Sequence, residues 1–232
     1  MSKGKLTKAM ILSAGFGTRL RPLTDNIPKA LIMFNGRPMI ENVILKLINF
    51  GITDIVVNTH HLSEKIADYF SSRKFDASVT LIHEQRILGT GGGIKNARKN
   101  LEDSGDFLVH NVDVDTDLDL TEMYKFHEKN SAIATLAVQK RETSRPLIID
   151  SRNNLIGRTI YDEDLIYGKT PFPLSKIAFS GIHILSSRIF NFFPAFENFD
   201  IISFYMELNV STENIVVYDI GNCYWRDLGK TN

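Results

Sequence analysis

Ala9-Met10-Ile11-Leu12-Ser13-Ala14-Gly15-Phe16-Gly17-Thr18-Arg19-Leu20 passes in one step from apolar residues to small ones and then to a cation. Residues 9–12 make a short strand. The small residues and glycines after it let backbone N–H groups come close to a polyphosphate with no side chain in the way. A Gly-rich turn after a strand is often only a turn. Here Arg19 follows, and Pro28-Lys29-Ala30-Leu31 brings Lys29, so the segment offers a forked donor and a point charge to phosphate oxygens. Two familiar phosphate loops fit worse. The dinucleotide fingerprint needs a third glycine where Leu20 stands and an acid where Asn58 ends the second strand, and no Gly-Lys-Ser/Thr of a Walker loop occurs.

Outward from this loop, residues 54–58, 79–82 and 107–109 are further short apolar runs, too far apart for hairpins and separated by helical patterning. That rhythm predicts a parallel α/β sheet. Met39–Phe50 places Ile40, Val43, Ile44, Leu47 and Ile48 on one helical face, with Pro38 as first helical residue and Gly51 as the stop. Residues 63–70, 94–101 and 118–129 read as further covering helices. After Ala132, residues 147–149, 155–156 and 177–185 read as strands, with Asn153 and Asn154 turning between the first two. The second half therefore adds strands and helices that close over a doubly wound core. Residues 190–199 carry five phenylalanines, either core filling or a dimer contact.

Lysine plus arginine equals aspartate plus glutamate, 27 of each, so global charge points to neither a nucleic-acid nor a membrane partner. No apolar run approaches the roughly 20 residues that span a bilayer. A single cysteine, Cys223, and a polar start without a signal-peptide core point to a reducing cytoplasm. His60 and His61 are adjacent, with no zinc-ligand spacing, and no Gly-x-Ser-x-Gly elbow suggests a hydrolase.

Two other stretches carry chemistry. Gly89-Thr90-Gly91-Gly92-Gly93 disfavours helix and strand alike, which leaves a close backbone approach or a flexible surface loop. His110-Asn111-Val112-Asp113-Val114-Asp115-Thr116-Asp117 puts acids at the carboxyl end of a strand, where open α/β sheets gather ligands. Mg²⁺ takes hard oxygen ligands and uses one or two carboxylates with substrate phosphates. Asp115, Asp117 and Asp119 read as solvated or capping residues.

Ala-Gly-x-Gly-Thr-Arg-Leu-x-Pro-Leu-Thr followed by Pro-Lys-x-Leu resembles the signature of the sugar-1-phosphate nucleotidyltransferases. The resemblance implies a three-layer α/β/α, Rossmann-like, mostly parallel sheet of the nucleotide-diphospho-sugar transferase type. It implies one domain over 1–232, with a nucleotide-binding half (1–130) and a sugar-binding half (131–232). Ala14, Gly15, Gly17, Thr18 and Arg19 would bind the NTP, and Lys29 would lie between NTP and sugar phosphate. The glycine cluster resembles the family's Leu-x-Thr-Gly-Gly element, so Gly89, Thr90 and Gly91 would meet base and sugar, with Glu84 and Gln85 as weaker base contacts.

The metal aspartate of the family corresponds to Asp113, with Val112 in place of the usual glycine, and Trp225-Arg226-Asp227-Leu228-Gly229 resembles Trp-x-Asp-x-Gly, whose aspartate completes the site. Mg²⁺, with Mn²⁺ as substitute, is the implied cofactor. Phe179-Ser180-Gly181-Ile182 resembles the strand lining the sugar pocket, and Arg145 is a candidate for the sugar phosphate, or a surface hairpin arginine. The implied partners are NTP and a sugar 1-phosphate, and the implied state is a monomer or homodimer. The implied reaction is in-line attack of the sugar phosphate on the α-phosphate, giving NDP-sugar and pyrophosphate. A non-catalytic sugar-nucleotide sensor and transfer to a non-sugar phosphate such as phosphocholine are the competing readings.

Overall fold

The computed structural model describes residues 6–167, 169–208 and 213–230. Its parallel part runs Ser78–His83, Asp54–Thr59, Lys8–Leu12 and Asp106–Asn111, in that spatial order. Leu174–Ser186 pairs antiparallel with Asp106–Asn111. Ala134–Gln139 pairs antiparallel with its other edge, and Ile215–Asp219 runs parallel to that strand. The first residues of Leu174–Ser186 leave the main sheet and start an antiparallel arm with Leu147–Asp150, Leu155–Ile160 and Glu163–Ile166.

Alternation along each central strand divides the core into two layers. Met10, Val56, Phe107 and Val109 face one side, under helices Gly89–Asn96, Arg98–Leu101 and Ile201–Leu208. Ala9, Ile11, Ile55, Val57 and Leu108 face the other, under Met39–Phe50, Ser63–Ser71 and Leu120–Asn130. The arrangement is the three-layer α/β/α expected. On Met39–Phe50 the buried stripe is Met39, Ile40, Val43, Ile44 and Leu47, and Gly51 ends the helix at φ 108°, its N–H returning to Leu47 and Ile48. Each fully buried Ile or Leu here contributes about 1.5–3 kcal/mol. No helix among the described residues is long and apolar enough to cross a membrane.

One expectation changes, residues 190–199 follow the core-filling reading, and further elements appear. Residues 89–93 form no loop: the helix begins at Gly89, five residues before the sequence pattern places it, and a break at Ala97 separates it from Arg98–Leu101. The glycines are packing residues. A Cβ at Gly91 would meet the Phe199 ring at 2.2 Å, and one at Gly92 would meet the Glu197 carbonyl oxygen at 2.0 Å. The carbonyl of Phe199 accepts from Gly91 and Gly92, satisfying first-turn donors that would otherwise lack partners. Residues 190–199 fill the core: Phe190 and Phe199 are buried, and Phe193 sits edge-on to Phe190, Phe199 and Phe204, while Phe192 and Phe196 remain exposed. The strands Ala134–Gln139 and Ile215–Asp219 and the helix Ile201–Leu208 have no counterpart in the sequence reading.

Candidate active site

The loop after Lys8–Leu12 is fastened from both sides. Asn58, at the end of the neighbouring strand, accepts from the Ser13 N–H at 2.8 Å and donates to Glu84 at 2.6 Å, and Glu84 also accepts from the Leu88 N–H. Glu84 is 2% exposed, and its carboxylate is a fastener between loop and glycine helix. Gln85 is exposed beside it. Gly17 sits at φ 65°, and a Cβ there would meet Thr24 at 2.8 Å and Lys29 at 3.1 Å, while the Thr24 hydroxyl donates to the Gly17 carbonyl. Gly15 has open space around it and Ala14 is buried. The loop stands free at Gly15 and is locked at Gly17. Thr18 and Arg19 lie in the short 3-10 turn that follows, both exposed.

The two candidate aspartates meet through a small ribbon outside the main sheet. Val114–Thr116 pairs antiparallel with Trp225–Asp227, Asp227 opposite Val114, and the Leu228 N–H donates to the Asp113 carbonyl at 2.7 Å. Thr116 donates to the Tyr224 carbonyl, and Lys46 donates to the Thr116 carbonyl. Val112, where the resembled family has glycine, is 1% exposed in the core. Asp119 caps Leu120–Asn130 through Thr121 and Glu122, and Asp117 is exposed, as expected.

Around Asp113 and Asp227 stand the two cations of the first loop. Lys29 Nζ lies 2.8 Å from Asp113 Oδ2, and Arg19 lies 3.9 Å from Asp113 and 3.4 Å from Asp227. A Cβ placed on Gly229 would fall 2.5 Å from Asp113 Oδ2 and 3.0 Å from Asp227 Oδ1. Both carboxylates thus surround one point that only a glycine leaves free. Among the described residues no group of three or more His, Cys, Asp or Glu is set to hold a metal. Two carboxylates are the protein's usual share of a Mg²⁺ site completed by substrate phosphates, so the donor set fits that ion.

A cavity of about 550 Å³ opens from this pair, lined among others by Asn111, Arg141, Arg145, Phe179, Gly181 and Lys230. Gly181, at φ 76°, makes the floor: a Cβ there would collide with Val114 and Asn111. Arg145 is on the rim and exposed. Thr90 and Gly89 are not on this cavity; the Thr90 hydroxyl accepts from the Ile201 N–H and donates to Asp200, starting the helix Ile201–Leu208. Two residues of the site escaped the sequence reading. Asn58 was set aside as the missing acid of another fingerprint, and Arg141 carries no local signal. Arg141 lies 3.5 Å over the Trp225 ring, and burial pushes its pKa below the ordinary arginine value, with Asp227 acting in the opposite sense.

The chain is similar to known proteins. Mannose-1-phosphate guanyltransferase of Yarrowia lipolytica is 38% identical over 138 residues, 58% of this chain and 38% of that protein. UTP–glucose-1-phosphate uridylyltransferase of Synechocystis is 31% identical over 212 residues, 84% of this chain and 53% of that protein. The chain thus spans about half or less of the length of these curated relatives. Among solved structures, HddC from Yersinia pseudotuberculosis superposes with a TM-score of 0.78 at 23% identity, covering 97% of this chain and 95% of that one, a likeness of fold. The nucleotidyl transferase family matches residues 8–155, from the first strand through the phosphate loop, the glycine helix and Asp113 to the antiparallel arm, and the chain belongs to that family.

Proposed function

We propose that the protein transfers a nucleoside monophosphate from an NTP to a sugar 1-phosphate and releases pyrophosphate, with Mg²⁺ or Mn²⁺ held by Asp113 and Asp227. The observation that carries this reading is the meeting of those two carboxylates around one glycine-kept point, between Arg19 and Lys29 and at the mouth of a cavity.

An oxygen of the sugar phosphate attacks the α-phosphorus, the bond from α-phosphorus to the bridging oxygen breaks, and its electron pair leaves on pyrophosphate. The attacking group is already anionic at neutral pH, so no protein nucleophile is needed. The barrier is repulsion between anions and charge growing on the leaving group, which makes positioning and neutralisation the dominant contributions. A divalent cation between the aspartates would act as Lewis acid toward phosphate oxygens. The N–H groups of residues 14–18 take the polyphosphate, with Gly15 leaving its approach open. Arg19, more than half exposed, is free to leave the aspartates for the leaving phosphates, and Lys29, partly buried against Asp113, marks the position of the attacking one. The lone cysteine, Cys223, suits a reducing cytoplasm.

The test is pyrophosphate release from four NTPs, each with mannose 1-phosphate, glucose 1-phosphate or phosphocholine, with and without EDTA. The expected result is turnover with at least one sugar phosphate, abolished by chelator. Turnover with phosphocholine alone, binding without turnover, or full activity in excess EDTA would each overturn the proposal.

A further inference from the structure

The cavity beside the aspartates is lined by three arginines, and they differ in how they are held. Arg19 faces Asp113 and Asp227. Arg145 is exposed, and among the described residues its side chain meets no acid within ion-pair distance. Arg141 is built in. Its guanidinium carbon lies over the Trp225 ring, 3.5 Å from the centroid, and its Nη2 donates to the Phe179 carbonyl at 2.6 Å. Trp225 is itself fixed, its indole N–H donating to the Ser180 carbonyl at 2.8 Å. Those two carbonyls lie where the register of Leu174–Ser186 against Ala134–Gln139 shifts, next to Gly181. The Phe-Ser-Gly-Ile strand and the Trp-x-Asp ribbon thus serve one guanidinium between them.

That guanidinium is short of partners. Its Nε is buried with no hydrogen bond, and among the described residues no carboxylate comes within ion-pair distance of it. Of five donors in the fork, one is used in a described hydrogen bond. A partly buried arginine stays charged and normally ends against an acid, so a cation stacked on an aromatic face and left without one is set for an anion from outside. The stack holds the fork in one orientation, which lowers the ordering cost of a bidentate contact to a phosphate.

We infer that Arg141, stacked on Trp225, is the phosphate anchor of the acceptor subsite, holding the sugar 1-phosphate by its phosphate beside Asp113 and Asp227, with Arg145 a secondary rim contact. The inference rests on the proposed function for the identity of the anion, and it has its own readout. Trp225 is the chain's single tryptophan, so its fluorescence reports directly on the guanidinium lying against it.

Trp225 emission is titrated with mannose 1-phosphate, glucose 1-phosphate and inorganic phosphate, and with mannose as the phosphate-free control, at constant ionic strength. The wild type is expected to give a saturable change with phosphate-bearing ligands and none with mannose. Arg141→Met is expected to weaken the apparent Kd for the sugar phosphate by at least about tenfold, the loss typical of one charge-assisted partner. Arg141→Lys keeps charge and stem but not the fork, and should fall between the two while serving as the variant of intact fold. Arg145→Met should cost less than Arg141→Met. In turnover, Arg141→Lys should raise KM for the sugar phosphate and leave KM for NTP unchanged. No saturable change with any phosphate ligand in the wild type, an unchanged Kd in both Arg141 variants, or a larger loss at Arg145 would overturn the inference. Phosphate binding that depends on Arg141 in a protein with no turnover would sink the proposed reaction and leave the anchor standing. Normal turnover with wild-type sugar-phosphate KM in the Arg141 variants would do the reverse.

Discussion

Gly229→Ala puts one methyl group into the space shared by the two aspartates. The new Cβ would lie 2.5 Å from Asp113 Oδ2, 3.0 Å from Asp227 Oδ1 and 3.1 Å from Arg19 Nη2, where ordinary contact begins near 3.4 Å. Asp113 would have to retreat by close to an ångström, yet Lys29 holds its carboxylate at 2.8 Å and Leu228 holds its backbone carbonyl. Asp227 is tied through Oδ1 to the N–H of Gly229 itself. Gly229 has no left-handed φ, so alanine carries no backbone strain there and the damage is confined to the carboxylates. A misplacement of about 1 Å in a reacting group costs roughly 10²-fold in rate, or about 2.7 kcal/mol of barrier, and overpacking costs about 1–3 kcal/mol of stability. The expected result is a fall in kcat of at least about 10²-fold with a cooperative melt retained. The assay is pyrophosphate release across a Mg²⁺ titration, with thermal unfolding as the control. Wild-type kcat in a folded Gly229→Ala protein would refute the assignment of this point to the reacting phosphates and their cation.

Asp113→Asn and Asp227→Asn should each lower kcat by at least roughly 10²-fold and combine with strong non-additivity in a double-mutant cycle, because both act on one element; additive losses, or a larger loss at Asp115, would place the metal elsewhere. Gly92→Ala should lower the urea midpoint by the equivalent of at least about 1 kcal/mol, since its Cβ meets a backbone carbonyl at 2.0 Å, whereas helix propensity alone would give a gain of about 1 kcal/mol; a gain would mean Glu197 moves away freely. Burial holds His110 at about 4 and His183 at about 3, below the usual 6.5, so both are neutral in the fold and take up protons first on unfolding. Their contribution to stability is present above pH 6.5 and lost as pH falls toward 4, on the order of a few kcal/mol. Urea midpoints at pH 7 and 4.5 should therefore diverge less in His183→Gln than in wild type, and an equal divergence would remove that imidazole as a cause.

The loop and its cations were legible because a run of neighbouring residues carries the whole chemical meaning: a strand, small residues, Arg19 and Lys29 within one stretch of chain. Met39–Phe50 was legible for the same reason, its periodicity being local. The glycine triplet was not. Gly91 and Gly92 are glycines because Phe199 and Glu197 lie against them, and nothing near residue 91 announces a partner over 100 positions away. Helix propensity therefore pointed away from a helix that tertiary packing imposes. The fastening role of Glu84 was not legible, because its burial depends on Asn58 and Leu88 rather than on its own neighbours. Arg141 sits in a polar stretch that reads as hairpin surface; only the indole of Trp225 beneath it makes it a fixed charge.

The same contrast explains how a carboxylate near residue 227 becomes part of a site begun at residue 15. Loop-closure entropy grows only slowly with length, so bringing Asp227 to Asp113 costs little more than closing a much shorter loop. What the distance removes is local support: a ribbon of three residue pairs is not stable by itself in water. Val114–Thr116 and Trp225–Asp227 stay paired because Thr116 is bonded to Tyr224 and Leu228 to Asp113 across the ribbon, while Trp225 is tied to Ser180 and Thr116 to Lys46 in other parts of the fold. The aspartate pair is therefore assembled only when the parallel core, the Leu174–Ser186 strand and the closing ribbon are all in place. Two neighbouring carboxylates repel each other, and Arg19 and Lys29 offset that repulsion by lying against the pair; under the proposed function the phosphates would take those cations over.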